Sequence, residues 1–294
     1  LIEGYRAAGH EVVVVDDLSS GLRDNVPADV RFYHADIADI EPIIAREKPD
    51  VVNHHAANMS VKVSGDDPQL DARINVHGFL AVMLAASRHG VRKVVFASSG
   101  GTVYGVPQHL PIREDHPLMP LSPYGITKMA GEHYLRFFAT ERQLPATILR
   151  YGNVYGARQL PHGEAGVVAI FAEKMLRGEQ PRIDWDGEQQ KDYVYVKDVV
   201  DLNLRVLTAG DGQTYNVGSG DATSVNELYR HLAELTGYGG QPTYGPRRPG
   251  DLRHFYLDCA KATSELAWPQ PTPLAQGLAE TVAWFRQKVQ QAKA

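Results

Sequence analysis

Apolar residues fall along this chain in two alternating rhythms. Short runs, Val12 to Val15, Val30 to His34, Val51 to His54, Val94 to Ser98 and Thr147 to Arg150, are rich in β-branched residues. Such runs predict strands covered on both faces. Between them, Ile40 to Arg46, Ile74 to His89 and Tyr124 to Glu141 place apolar residues at helical spacing, and Gly90 supplies a stop for the second. Strand and helix in turn predict a parallel sheet with helices on both faces, a doubly wound α/β architecture. From about residue 163 the rhythm changes to amphipathic helices over Val167 to Leu176, Val225 to Leu235 and Leu274 to Val289, parted by Pro/Gly-rich stretches such as Tyr244 to Gly250. The expected organisation is a sheet domain of residues 1–162, joined by about 191–219, and a smaller C-terminal α/β cap of 163–190 and 220–294.

The 294 residues, 43% of them hydrophobic, suffice for a sizeable core, and Lys+Arg 30 against Asp+Glu 35 leave a net charge of -5. A slightly acidic chain lacks the basic stripe that a general nucleic-acid binder needs. One cysteine, Cys259, cannot form an intrachain disulfide, and no Cys/His cluster has zinc-ligand spacing. A reduced compartment, the cytoplasm, and no structural metal are therefore expected. No apolar run reaches the roughly 18 residues of a spanning helix, so no membrane insertion is expected. The chain opens at Leu1 inside a helical pattern, and an initial strand is expected to precede it.

In a dinucleotide-binding βαβ unit, the strand after the first helix ends in a carboxylate that accepts hydrogen bonds from the adenine-ribose hydroxyls. Asp16, directly after Val12 to Val15, stands at that point. A carboxylate there repels a 2′-phosphate, which favours NAD over NADP. The bland alternative is a loop aspartate opening the turn Asp17 to Gly21. The glycine loop for the pyrophosphate belongs about 20 residues earlier, upstream of Leu1. Gly4 lies within the first helical pattern and Gly9 at its end, so neither replaces it.

Tyr124-Gly125-Ile126-Thr127-Lys128 opens a helix, and an offset of four residues sets both polar heads on one face. The same offset recurs at Tyr193 and Lys197, but Asp192 to Lys197 reads as a strand, where four residues separate the pair by about 13 Å. A tyrosine with a pKa near 10 must fall by about three units, roughly 4 kcal/mol, to act as a base at neutral pH. One ammonium about 4 Å away, at an effective dielectric near 20, supplies about 4 kcal/mol. Without such a partner Tyr124 is only an aromatic at a helix start after Ser122-Pro123.

Asp16, the segment Phe96 to Gly105, the Tyr124/Lys128 pair and Leu149 to Gly156 together resemble the extended short-chain dehydrogenase/reductase (NAD-dependent epimerase/dehydratase) superfamily, and within it the UDP-glucose (UDP-galactose) 4-epimerases. The likeness runs from Leu1 nearly to the C-terminus and takes in Asp192 to Asp198 and Arg248 to Asp251. It implies a Rossmann-type sheet, tightly bound NAD and epimerisation of a UDP-hexose at C4 through a transient 4-keto intermediate. Tyr124 would take the proton of the sugar 4-hydroxyl, while Lys128 would hold the nicotinamide ribose and lower the phenol's pKa. By the same likeness Asp36 and Ile37 would flank the adenine, Ala56 and Ala57 the pyrophosphate, and Asn75 the floor near the ribose. Ser98 and Tyr151 would also lie against the cofactor. Asn153, Lys191, Tyr193, Arg248 and Asp251 would contact the UDP-sugar. Phe255, at a position that lines the pocket in relatives, would favour sugars without an N-acetyl group. The likeness also implies a homodimer, with the Ile74 to His89 and Tyr124 to Glu141 helices as candidate contacts.

Two positions depart from the family. Where relatives carry a catalytic Ser or Thr three residues before the Val of Val-Tyr-Gly, this chain has Gly100. Ser99 and Thr102 are the substitutes, each equally suited to a backbone bond at a strand end. Lys191 stands where relatives usually carry Arg, and a lysine neutralises a diphosphate without the guanidinium's fork. A 4,6-dehydratase would need an Asp and Glu pair where this chain has Gly101 and Thr102. A non-catalytic NAD-binding regulator would not require the helical Tyr/Lys pair, and an inactive truncated form is the remaining alternative. His54-His55 reads as structural histidine rather than metal ligand, because adjacent strand positions face opposite ways. Arg247-Arg248 reads either as a solvated loop or as a diphosphate contact.

Overall fold

The computed structural model describes residues 1–161, 166–247 and 250–291. They fall into two compact units, one of Leu1–Gly105, Leu118–Arg150 and Val200–Tyr215, the other within Val106–Pro117, Tyr151–Val199 and Asn216–Ala294. In chain order the elements up to the second unit's main segment are α1 (Ile2–Ala7), β1 (Val13–Asp16), β2 (Arg31–His34), α2 (Glu41–Glu47), β3 (Val51–His54), α3 (Val61–Asp66), α4 (Pro68–Ala72), α5 (Phe79–Arg88), β4 (Lys93–Ser99), α6 (Gly100–Val103), α7 (Pro123–Arg142) and β5 (Ala146–Tyr151). There follow β6 (Asn153–Tyr155), α8 (Val167–Leu176), β7 (Arg182–Asp184), β8 (Gln190–Lys191), β9 (Tyr193–Tyr195), α9 (Val196–Arg205), β10 (Thr214–Val217), β11 (Thr223–Ser224), α10 (Val225–Thr236), β12 (Thr243–Gly245), α11 (Ala260–Leu266) and α12 (Leu274–Gln291).

All five strands expected of the first unit form. β1 pairs in parallel with β2, from Val13 opposite Arg31 to Asp16 opposite His34, and β3 pairs in parallel with β4, from Val51 opposite Lys93 to His54 opposite Phe96. The larger sheet has the order β10, β5, β4, β3. Its helices close a core of Ile44, Phe79, Met83, Val94, Phe96, Leu135, Phe138 and Ile148. The helix expected over Ile74 to His89 divides: Arg73–Gly78 is a π-helical turn, and regular α5 begins only at Phe79. Gly78 lies so close to Ile37 that a Cβ there would meet its Cδ1 at 2.8 Å, and a wide turn accommodates that approach.

α7 carries the sequence's main chemical signal. Ser122 caps it by accepting the Gly125 N–H at 3.2 Å, Pro123 occupies its first turn, and Gln143 ends it in the left-handed conformation. Gly131 brings this helix down onto β4, since a Cβ there would stand 2.8 Å from Phe96 Cζ.

The second unit has its own core, with Phe171 and Met175 of α8, Leu228 and Leu232 of α10, and Leu278, Val282 and Phe285 of α12. α10 opens with a reciprocal Ser224/Glu227 capping box and stops at Gly237, φ 76°. Two expectations need correction here. Asp192 to Lys197 is not one strand: β9 ends at Tyr195 and Lys197 lies in the first turn of α9, where its ammonium meets Glu280 at 2.6 Å. The apolar spacing of Val196, Val199 and Leu202 turns to helical period at that point. The Pro/Gly-rich stretch from Tyr244 also begins inside β12, which pairs in parallel with β7.

Candidate active site

Ser99, the last residue of β4, donates its hydroxyl to the phenol of Tyr124 in the first turn of α7. One turn on, Lys128 is 4% exposed, and its Nζ donates to the Ala97 carbonyl at 2.8 Å and lies 5.8 Å from the Tyr124 ring centre. Thr102 enters the same corner through its backbone, for a Cβ on Gly125 would meet the Thr102 carbonyl at 2.8 Å. Its Oγ1 is buried without a hydrogen-bond partner. Of the two substitutes for the hydroxyl absent at Gly100, Ser99 is therefore the one joined to the tyrosine.

The expected acidity of Tyr124 differs from what the chain by itself produces. Burial pushes the phenol up to about 12, against the lowering effect of the Ser99 bond, and the Asp71 charge pushes the same way as burial. Burial likewise brings Lys128 down to about 8, although the carboxylates of Asp71 and Glu132 oppose it. Low polarity penalises both charged forms, and at the phenol this outweighs the Ser99 bond.

Two buried networks hold the pair. Glu132, one turn beyond Lys128, accepts from Arg150 Nε at 3.0 Å and Nη2 at 2.6 Å, and from Ser98 Oγ at 2.6 Å. Arg150 Nη1 also reaches the Tyr104 hydroxyl at 2.9 Å. This ties α7 to β4 and β5. The second network joins Asp71, Asn75, Asn58 and Thr127. Neither Glu132 nor Asp71 stands out in the sequence, although each sits at a four-residue offset, from Lys128 and Asn75 respectively.

Asp16 ends β1, and its Oδ1 accepts the Leu18 N–H at 2.7 Å. Gly21 keeps this carboxylate open, since a Cβ there would crowd both its oxygens at 3.1 and 3.3 Å. Asp36 is exposed and caps a short 3₁₀ turn by accepting the Ala38 N–H. Ile37 packs into the core, with Gly78 close against it. Ala56 and Ala57 are half-buried just beyond β3. Asn75 is committed to holding that loop: its Oδ1 accepts the Asn58 N–H at 2.8 Å, and its Nδ2 donates to the Asn58 carbonyl and to Asp71, each at 2.9 Å. The Ser98 hydroxyl is likewise committed, to Glu132. His54 is buried against Phe79 and Phe96, and burial takes it down to about 3, so it is a neutral core residue.

In the second unit, half-buried Tyr151 ends β5. Asn153 donates both its N–H and its Nδ2 to the Asp192 carbonyl. Lys191 Nζ is paired with Asp251 and also donates to the Leu252 carbonyl at 2.9 Å, so these two expected ligands hold each other. Tyr193 is buried, which raises its phenol pKa. Phe255 is only 2% exposed, with its N–H on the Gln190 carbonyl. Arg248 lies outside the described residues. Sequence reasoning missed Asp192, which is wholly buried and accepts from Ser219 N–H and Oγ and from the N–H of Leu257. It also missed Trp185, whose ring lies under the guanidinium groups of Arg247 at 4.7 Å and Arg253 at 4.8 Å. Among the described residues, no group of three or more His, Cys, Asp or Glu is placed to hold a metal, and no helix is long and apolar enough to cross a membrane.

Parallel strands that end in Asp16 and in Ser99, with a Tyr/Lys pair on α7, define a class, and the chain belongs to the NAD dependent epimerase/dehydratase family, whose profile matches residues 1–218. Among curated relatives, the UDP-glucose 4-epimerase of Mycolicibacterium smegmatis is 46% identical over 99% of this chain and 95% of its own length. The crystal structure of a Thermotoga maritima UDP-glucose 4-epimerase with UDP-glucose superposes with a TM-score of 0.96 at 44% identity, covering 98% of this chain and 94% of that one. The Thermus thermophilus UDP-glucose 4-epimerase in complex with NAD gives 0.92 at 40% identity, over 97% and 94%. The fold is thus a doubly wound, Rossmann-type α/β fold.

Proposed function

We propose that this chain is an NAD-dependent isomerase that interconverts UDP-glucose and UDP-galactose by epimerisation at C4 through a transient 4-keto sugar. The observation that carries this reading is the Ser99–Tyr124–Lys128 grouping at the end of β4, in a chain 46% identical to a UDP-glucose 4-epimerase. The donor set fits a dinucleotide. Asp16 offers an open carboxylate for ribose hydroxyls, and the buried Lys128 ammonium, whose acceptor is a single carbonyl, can donate to a second ribose. Bound NAD would supply the reversible two-electron acceptor for the sugar carbinol and, when oxidised, a positive charge that favours the phenolate.

The chain's own residues move the proton. Tyr124 takes it from the sugar 4-hydroxyl and returns it after the keto sugar has turned its other face. Ser99 stabilises the phenolate by donating to it, and Lys128 adds a fixed positive charge. In this reading the first unit holds NAD through Asp16, Tyr124 and Lys128. The second holds the UDP group, with Asn153, Tyr193 and the Lys191/Asp251 pair nearest the diphosphate and sugar. Apolar residues left exposed on neighbouring helices, Leu84 of α5 and Ile126, Tyr134 and Phe137 of α7, support a homodimer. The lone cysteine supports a reduced cytoplasmic setting.

The test is conversion of UDP-galactose to UDP-glucose by the NAD-loaded protein, with Tyr124→Phe beside it. The wild type is expected to equilibrate the two sugars and the variant to lose at least about a hundredfold in rate, the usual size of a general-base contribution. A Tyr124→Phe protein that keeps more than a small fraction of the rate refutes the assignment of the base.

A further inference from the structure

Asp71, on α4, is wholly buried, yet among the described residues no cation touches it. Its Oδ2 accepts the Thr127 hydroxyl at 2.8 Å, and its Oδ1 accepts the side-chain amides of Asn75 at 2.9 Å and Asn58 at 3.2 Å. Amide and hydroxyl donors return only part of what a carboxylate loses on leaving water, so a buried carboxylate calls for a nearby counter-charge. Lys128 provides one. It follows Thr127 directly, is itself buried, and has a neutral carbonyl as its acceptor. The other carboxylate acting on Lys128, Glu132, is already bound twice by Arg150.

The remaining charged groups on the elements packed around Asp71 are exposed: the Lys62–Asp66 pair of α3, and Arg73 and His77 in the turn after α4. The Lys128 charge also acts on His54, the last residue of β3, and on His55 after it, and burial keeps His54 neutral. We infer that Asp71 is the positioning residue that keeps the Lys128 ammonium charged beside Tyr124, acting across Thr127 without touching substrate or cofactor. Its catalytic meaning rests on the epimerase reading given above.

The Asp71 charge raises Lys128 against the burial that lowers it, and it raises Tyr124 as well. Activity needs the phenol deprotonated and the ammonium protonated, so removing the charge displaces both limbs of the pH profile toward acid. The experiment is kcat against pH for UDP-galactose conversion by wild type, Asp71→Asn and Thr127→Val. In Asp71→Asn the new amide can donate to Thr127 Oγ1 while Oδ1 keeps its two donors, so the bonds survive and the charge goes. Both limbs are expected to move down by about one pH unit, and to stay in place in Thr127→Val. Unmoved limbs in Asp71→Asn, or an equal displacement in Thr127→Val, overturn the inference.

If Asp71→Asn does not fold, the carboxyl ¹³C resonance of Asp71 in the wild-type protein decides instead. It should show an inflection at the pH where Lys128 loses its proton, and a curve without that step overturns the inference. Failure of the wild type to interconvert the sugars would refute the epimerase reading, while the coupling between Asp71 and Lys128 would still be read from this resonance.

Discussion

Replacing Ser99 by alanine removes the hydroxyl that donates to the Tyr124 phenol. A hydrogen bond to a charged group contributes about 1.5–3 kcal/mol, which is a factor of about 10–150 in rate where the charge lies on the phenolate. The bond also lowers the phenol's pKa, so its loss moves the acid limb of the profile to higher pH. The deficit of Ser99→Ala is therefore largest at the acid end and narrows as the pH rises. Thr102→Val is the matched comparison. Its Oγ1 is buried without a partner, and exchanging an unsatisfied hydroxyl for a methyl of the same shape is close to neutral for stability or favourable. Initial rates of UDP-glucose formation, coupled to an NAD-dependent UDP-glucose dehydrogenase at several pH values, distinguish the two. A Ser99→Ala enzyme as active as wild type at the acid end, beside an inactive but folded Thr102→Val, refutes the assignment and moves the hydroxyl role to Thr102.

Glu132→Gln should leave the Arg150 guanidinium, 2% exposed, without its counter-ion, and breaking such a buried pair costs about 3–5 kcal/mol. A urea midpoint equal to wild type would show that the pair contributes nothing. His54 binds its proton with a pKa of about 3 when folded against an ordinary value of 6.5. The unfolded chain therefore takes up the proton first as the pH falls, and stability is lost between those two values by up to about 5 kcal/mol. In His54→Leu that part of the acid sensitivity should vanish, and an unchanged slope of unfolding free energy against pH would assign it elsewhere. Gly131→Ala places a Cβ 2.8 Å from Phe96 Cζ, and the overpacking should cost about 1–3 kcal/mol and lower kcat by shifting α7. Unaltered stability and rate would mean that the helix has room to spare.

What the chain reveals without coordinates is what short-range periodicity can encode. A continuous apolar run such as Val94 to Phe96 has one good solution, a strand covered on both faces, and β4 forms there. A four-residue offset on a helix puts Tyr124 and Lys128 on one side whatever the helix packs against. The same logic fails at Tyr193 and Lys197, because the chain changes from strand to helix after Tyr195 and the two residues do not share one element. Partners distant in sequence are equally hidden. Lys191 and Asp251 each read as a free ligand, and only the fold joins them. The acidity of Tyr124 shows why this matters for chemistry. The sequence contains the ammonium that would lower the phenol by about 4 kcal/mol. It does not contain the depth of the site, whose desolvation acts in the opposite direction and, in the chain by itself, prevails. Charge is a property of residues and can be counted, whereas burial is a property of the packed whole, so the sign of a pKa shift at such a site becomes readable only once α7 is seated on β4.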